Sequence, residues 1–286
     1  MRFVVAKDSP DAVALLTEGG DARLLAGGTD VLVRMKLSDT APDLLIDIKK
    51  IPGISDIVIE EAGIRVGAAV SGAEMGEHAA LKAAWPGVVE AVELIGSTQV
   101  QGRATMVGNL CNGSPAADSV PAMLAAEAVA QVVGPNGERD VLVLDLLEGP
   151  GKTKLMQNEI VTSVLLPTRP SRSGDAYLRF IPRTEMDIAV ASAGVNLTLD
   201  ETGTVTAAQV ALGAVAPTAV LVPEAANALV GSKLGAAALE ACATACSAAC
   251  NPIDDRRGTV EFRTKVAGVL ATRAAKIAYT RAGGSL

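Results

Sequence analysis

Apolar residues in this chain come in short extended runs and in helical spacings, and glycine or proline closes most of them. Residues 2–5 read as a strand. Ser9 and Pro10 then supply an N-cap and a first helical residue for a helix over 11–16, which Gly19 and Gly20 stop. Residues 23–26 predict a second strand, ended by Gly27 and Gly28. Thr29 or Asp30 can cap a following helix through Val31, Leu32, Met35 and Leu37. A strand over 44–48 completes a βαβ-like unit, closed by Pro52 and Gly53.

A second unit opens at Ile54 with a hairpin (57–60 and 64–70) and several short helices, two of them separated at Trp85-Pro86-Gly87. Strands over 129–133 and 141–144 flank Pro135-Asn136-Gly137, a hairpin signal, and 160–166 is a further strand. The polar, proline-rich stretch 167–174 reads as a linker. Beyond it come strands over 176–181, 188–199 and 205–212, then helices over 223–229, 235–249 and 261–281. Strands followed by helices point to a separate α+β domain. The division is 1–170, with subdomains of about 1–53 and 54–170, then 175–286.

Composition narrows the function. At 286 residues, 49% hydrophobic and 20% charged, the chain can bury two or three cores and is not disordered. Aromatics are 2%, too few for base stacking, and a net charge of −7 opposes nucleic-acid or anionic-membrane binding. The single histidine, His78, excludes multi-histidine metal sites and reads as a capping or surface residue near a helix end. Cys242, Cys246 and Cys250 stand four apart in an alanine-rich stretch, the spacing of small-residue packing on one helical face. Cys111 reads as a buried small residue, and Asp254 to Arg257 as an ion-pair cluster fixing the last helix. With no disulfide framework, signal-peptide core or transmembrane run, a reducing cytoplasm is expected.

Two segments carry chemistry. In Leu24-Leu25-Ala26-Gly27-Gly28-Thr29-Asp30-Val31 a strand delivers two glycines to a helix start. Backbone N–H groups are left free there, and without a Cβ phosphate oxygens can approach them. An ordinary strand–turn–helix connection has the same pattern. In 101–118, which includes Thr105, Met106, Val107, Gly108, Asn109 and Asp118, Gly, Asn, Ser and Thr crowd together in an otherwise apolar protein, as a polar cofactor needs. The alternative is a surface loop before a helix that starts at Ser114-Pro115 with Asp118 in its first turn. Two phosphate-like loops in one region favour a diphosphate ligand.

These segments, in this order, resemble the FAD-binding subunit of the molybdenum hydroxylases. That family includes carbon monoxide dehydrogenase medium subunits and the flavin domain of xanthine dehydrogenase. The first loop resembles its AGGTD signature and the second its T-I-G-G-N-x-C-x-x-S-P-A-A-D signature. Stretches 66–71, 183–189, 211–218 and 252–258 extend the likeness over nearly the whole chain. The resemblance implies an α+β fold: a two-subdomain FAD-binding domain of the vanillyl-alcohol-oxidase (PCMH) type, then a smaller CO-dehydrogenase-flavoprotein C-terminal domain.

It also implies non-covalent FAD with its diphosphate on residues 24–31 and 105–109. Asp118 would bond the adenosine part, Ile95 and Val161 would pack on the flavin, and Arg179 would lie near the isoalloxazine. Val107 stands where the family signature has glycine, and its Cβ is expected to crowd the diphosphate. Molybdopterin and [2Fe–2S] clusters belong to partners, a large and a small subunit, in a dimer of heterotrimers. The implied role is an oxidoreductase subunit passing electrons from those clusters through FAD to an external acceptor. A structural subunit with impaired flavin binding and a free-standing FAD oxidoreductase are the alternatives. No catalytic or metal-ligating residue is assigned.

Overall fold

The structure, a computed structural model, describes residues 1–37 and 41–286. Its first sheet is built from β1 (Arg2–Val5), β2 (Ala22–Leu25) and β3 (Leu44–Asp47), linked by α1 (Ser9–Thr17) and α2 (Val31–Leu37). All pairings are parallel and the order is β1-β3-β2, as expected for a βαβ unit. Asp8, not Ser9, caps α1: its carboxylate accepts the Asp11 N–H at 2.8 Å, leaving Pro10 in the first turn. Ala12, Val13, Leu15 and Leu16 form the buried face of α1.

Next come the hairpin β4 (Ile57–Glu60) and β5 (Gly63–Gly67), then short helices: α3 (Gly72–Glu77), α4 (Ala79–Ala84), α5 (Pro86–Glu93), α6 (Thr98–Gln101), α7 (Met106–Cys111) and α8 (Ser119–Ala125). His78 caps α4 through Nδ1, which accepts the Leu81 N–H at 3.1 Å. The hairpin β6 (Val129–Gly134) and β7 (Gly137–Leu142) follows. After it lie the ribbon β8 (Leu147–Gly149) and β9 (Lys152–Thr153), then β10 (Ile160–Pro167). A five-stranded sheet in the order β4-β5-β10-β6-β7 results, with a register shift in β10 between Val161 and Ser163.

The remaining strands are β11 (Ser173–Phe180), β12 (Ala191–Leu199), β13 (Val205–Gly213) and β14 (Val220–Leu221), an antiparallel sheet in chain order. Helix α9 (Pro223–Leu229) packs on it, α10 (Ala236–Ala248) packs on α9 and on α11 (Val260–Arg281), and α11 also packs on the sheet. Buried apolar residues separate into one cluster centred on the first two sheets and a second between the last sheet and its helices. Cys242 and Cys246 are buried in the second, where small side chains let α10 approach its neighbours. Asp255 accepts from the buried Arg263 of α11 at 2.7 Å, and Arg257 pairs with Asp187, so the acidic-basic run does anchor the last helix.

The stretch read as a linker shrinks to residues 168–172, because β10 runs to Pro167 and β11 starts at Ser173. It is not loose. Arg169 stacks over Trp85 at 4.4 Å and pairs with the buried Asp175 at 2.8 Å, while Trp85 Nε1 donates to Pro167 O at 3.2 Å. No helix among the described residues is long and apolar enough to cross a membrane.

Candidate functional site

The first parallel sheet, the second loop and β10 enclose a cleft of about 500 Å³, within the range of small-molecule sites. Gly27 joins two of its walls. A Cβ there would overlap the carbonyl oxygen of Arg103, so the first loop lies backbone to backbone against the second. Gly28 differs. Its φ of +81° is left-handed, and a Cβ would meet only the side-chain ends of Leu25 and Leu32. Both positions thus have reasons within the chain to be glycine, and both line the cleft.

Beyond β2 the N–H groups of residues 27–30 have no acceptor among the described residues; Leu32 is the first to bond, to Gly28 O at 3.1 Å. Asp30 occupies the cap position of α2, its carbonyl accepting from Arg34 N–H at 2.9 Å. Lys49 closes the base of the loop, donating to Ala26 O at 3.2 Å and pairing with Asp47 at 2.7 Å. A row of unpaired backbone donors facing a cleft is an anion cradle.

The second segment is not a plain loop. It contains α7, capped by Thr105, whose Oγ1 accepts the Gly108 N–H at 2.9 Å. Helix α8 starts only at Ser119, since Ser114 to Ala117 form turns, and Asp118 takes the cap position rather than the first turn. Val107 sits in α7 without positive φ, 3% exposed, and packs into the apolar cluster. A helical backbone holds valine without the positive φ that favours glycine, and the residue still lines the cleft beside Gly108 and Asn109. Asn109 spends its carboxamide oxygen on Ser119, accepting from N–H at 3.2 Å and from Oγ at 2.7 Å. Its NH₂ group is the half left for a ligand.

Of the residues singled out from the sequence, Leu24, Ala26, Gly27, Gly28, Thr29, Asp30 and Val31 line the cleft. So do Ile95, Thr105, Val107, Gly108, Asn109 and Val161. Leu25 and Met106 do not; Met106 is buried in the core. Asp118 and Arg179 are also outside the lining and pair with each other at 2.6 Å. Tyr177 donates to the second Asp118 oxygen at 2.7 Å. Burial pushes the Asp118 carboxyl up to about 6, against the pull of the Arg179 charge and the Tyr177 hydrogen bond. Arg179 retains a buried Nε–H without a partner among the described residues.

Cys111, expected in the core, is exposed and opens on the cleft. Several lining residues had no motif to announce them: Arg34, Met35, Leu155, Gln157 and Glu159. Arg34 bridges the loops by donating to the side-chain and backbone oxygens of Asn112. Burial alone would raise the Glu159 carboxyl. The Arg139 guanidinium at 2.9 Å and the Met156 N–H outweigh it and hold that carboxyl below its usual value.

Residues 1–169 match the family described as the FAD binding domain in molybdopterin dehydrogenase, and 176–278 the CO dehydrogenase flavoprotein C-terminal domain. The chain belongs to this flavoprotein family. It is 37% identical to the carbon monoxide dehydrogenase medium chain of Afipia carboxidovorans and 34% identical to that of Hydrogenophaga pseudoflava, with 96% of each chain covered. The xanthine dehydrogenase FAD-binding subunit of Escherichia coli O157:H7 is 29% identical over 96% of this chain and 95% of that one. The solved structure of reconstituted CO dehydrogenase from Oligotropha carboxidovorans superposes with a TM-score of 0.94 at 33% identity, covering 98% of each chain. The fold is that of these flavoprotein medium subunits: an FAD-binding domain followed by the flavoprotein C-terminal domain.

The chain's own residues fit such a group. Unpaired backbone N–H groups and the Asn109 amide suit a diphosphate, and apolar Leu24, Ile95 and Val161 suit ring faces.

Proposed function

We propose that this chain holds FAD in the cleft and passes electrons from [2Fe–2S] clusters on a small partner subunit to an external acceptor. A large molybdopterin-binding subunit would oxidise the substrate, within a dimer of heterotrimers working in the cytoplasm. The observation that carries the reading is the backbone contact at Gly27, which brings two donor-rich loops onto one cleft whose N–H groups at 27–30 lack protein acceptors. Residues 24–31 and 105–109 would hold the diphosphate, with Asn109 donating through its NH₂. Bound FAD supplies a centre that takes up electrons one at a time and gives them up singly or as hydride.

Against the structural-subunit alternative, which rested on Val107, stands the helical backbone of that residue, which needs no glycine conformation. The division into 1–170 and 175–286 is part of the same reading and is supported by the two separate apolar clusters. The test is reconstitution of the full chain with FAD and FMN, followed by denaturation. Release of stoichiometric FAD in preference to FMN is expected; a folded chain that stays colourless in excess FAD would sink the proposal.

A further inference from the structure

We propose that Tyr177 is a positioning residue for the cofactor cleft, holding the start of α8 so that Ser119 fixes the carboxamide of Asn109. The inference rests on the flavin reading of the cleft. Tyr177 does not line that cleft and can act on it only through other groups. Its hydroxyl donates to Asp118 Oδ1 at 2.7 Å, while Arg179 donates to Oδ2 at 2.6 Å, so both carboxylate oxygens are held from β11. Asp118 is the cap residue of α8. The next residue, the fully buried Ser119, sends both of its donors to Asn109 Oδ1.

Steric contacts and directed hydrogen bonds together place α8. Gly194 and Gly213 let the C-terminal sheet close on the helix, since a Cβ at either would come within 2.6 Å of Pro121. Such packing sets the distance of the helix from the sheet and, through the helix's seven buried residues, contributes to its rotation. The two hydrogen bonds at Asp118 add direction, and they lie next to the residue that orients Asn109. Orientation matters because an asparagine amide presents donors at one end and an acceptor at the other. With Ser119 in place the NH₂ group is offered to the cleft. Turned over, the amide would aim its oxygen at an anionic ligand.

A phenylalanine would fill the same apolar space, and this chain has few aromatics: two tyrosines and three phenylalanines. Tyr177 is 2% exposed, and the contact with Asp118 accounts for its buried hydroxyl. The clasp therefore ties the C-terminal sheet to the FAD-binding side of the molecule, next to a group that lines the cleft.

The test uses the full-length apo chain titrated with FAD by fluorescence quenching, for Tyr177→Phe, Asn109→Ala and the double variant, with thermal unfolding of each. Tyr177→Phe should raise the FAD Kd about three- to tenfold, the scale of one lost charge-assisted hydrogen bond partly transmitted. In the Asn109→Ala background the same change should have no further effect, because both act through one group. Ser119→Ala, which leaves Tyr177 untouched, should weaken FAD binding in the same direction. An unchanged Kd in Tyr177→Phe, with or without a lower melting temperature, would overturn the inference. So would effects that multiply in the double variant, the mark of a role independent of Asn109. Wild-type chain that binds no FAD would instead defeat the flavin reading, and this inference with it.

Discussion

Two adjacent glycines at the end of β2 are held to glycine for different reasons, and substitution separates them. At Gly27 the space for a Cβ is taken by the Arg103 carbonyl, a backbone atom that moves only if the second loop moves. At Gly28 the space is bounded by flexible leucine ends, and the limit is the left-handed φ. Gly28→Ala should therefore cost about 1–2 kcal/mol of stability, the penalty for an L residue in that region. Gly27→Ala should cost about 3 kcal/mol or more and loosen FAD retention as well, because it forces the two loops apart. Urea denaturation and FAD titration of both variants check the order; Gly28→Ala proving the more damaging would contradict it.

Helix α7 shows how a polar, glycine-bearing segment can be helical when its caps and contacts are right. Thr105 caps it, Met106 and Leu110 face the core, Val107 is buried at the cleft wall, and Gly108 and Asn109 line the cleft. The helix is too short to persist alone and is held by that burial. Val107→Gly restores the family signature but removes a buried side chain from a helix interior. It should destabilise the chain by about 2–4 kcal/mol without tightening FAD binding. Paired denaturation and FAD-binding measurements on this variant test it, and a tighter Kd would show that the side chain does crowd the ligand.

Across the whole molecule, the junction of the two apolar clusters carries buried charge at Asp118 and Asp175, each paired with arginine. Folding raises the Asp118 value above that of the unfolded chain. Its contribution to stability is therefore fully present below the unfolded value, near pH 4, and is lost as pH rises through about 6. Denaturation midpoints of wild type and Asp118→Asn between pH 4 and 7 read this directly. The advantage of wild type over the variant should fall by roughly 2–3 kcal/mol across that window. An advantage that grows with pH would mean that the Arg179 pair, not burial, governs the site.

Local pattern alone determined the succession of the main strands and helices, the parallel unit at the start, the α+β character of the end and the two donor-rich loops, but not α7, the β8–β9 ribbon or β14. Those features depend on neighbours in sequence, on period-two and helical spacing and on glycine placement. The first loop could be read as a cradle because β2, Gly27-Gly28 and α2 are contiguous. Tertiary structure alone decided that Gly27 meets Arg103, that α7 is a helix and that Cys111 opens on the cleft. It also decided that Asp118 answers to Tyr177 and Arg179, 59 and 61 residues away, rather than lining the cavity. Arg34 and Glu159 enter the cleft in the same way, from segments with no motif. Such contacts form where packed sheets bring distant segments together, and a carboxylate's partner there is set by which buried donor lies within reach, a quantity that no local periodicity records.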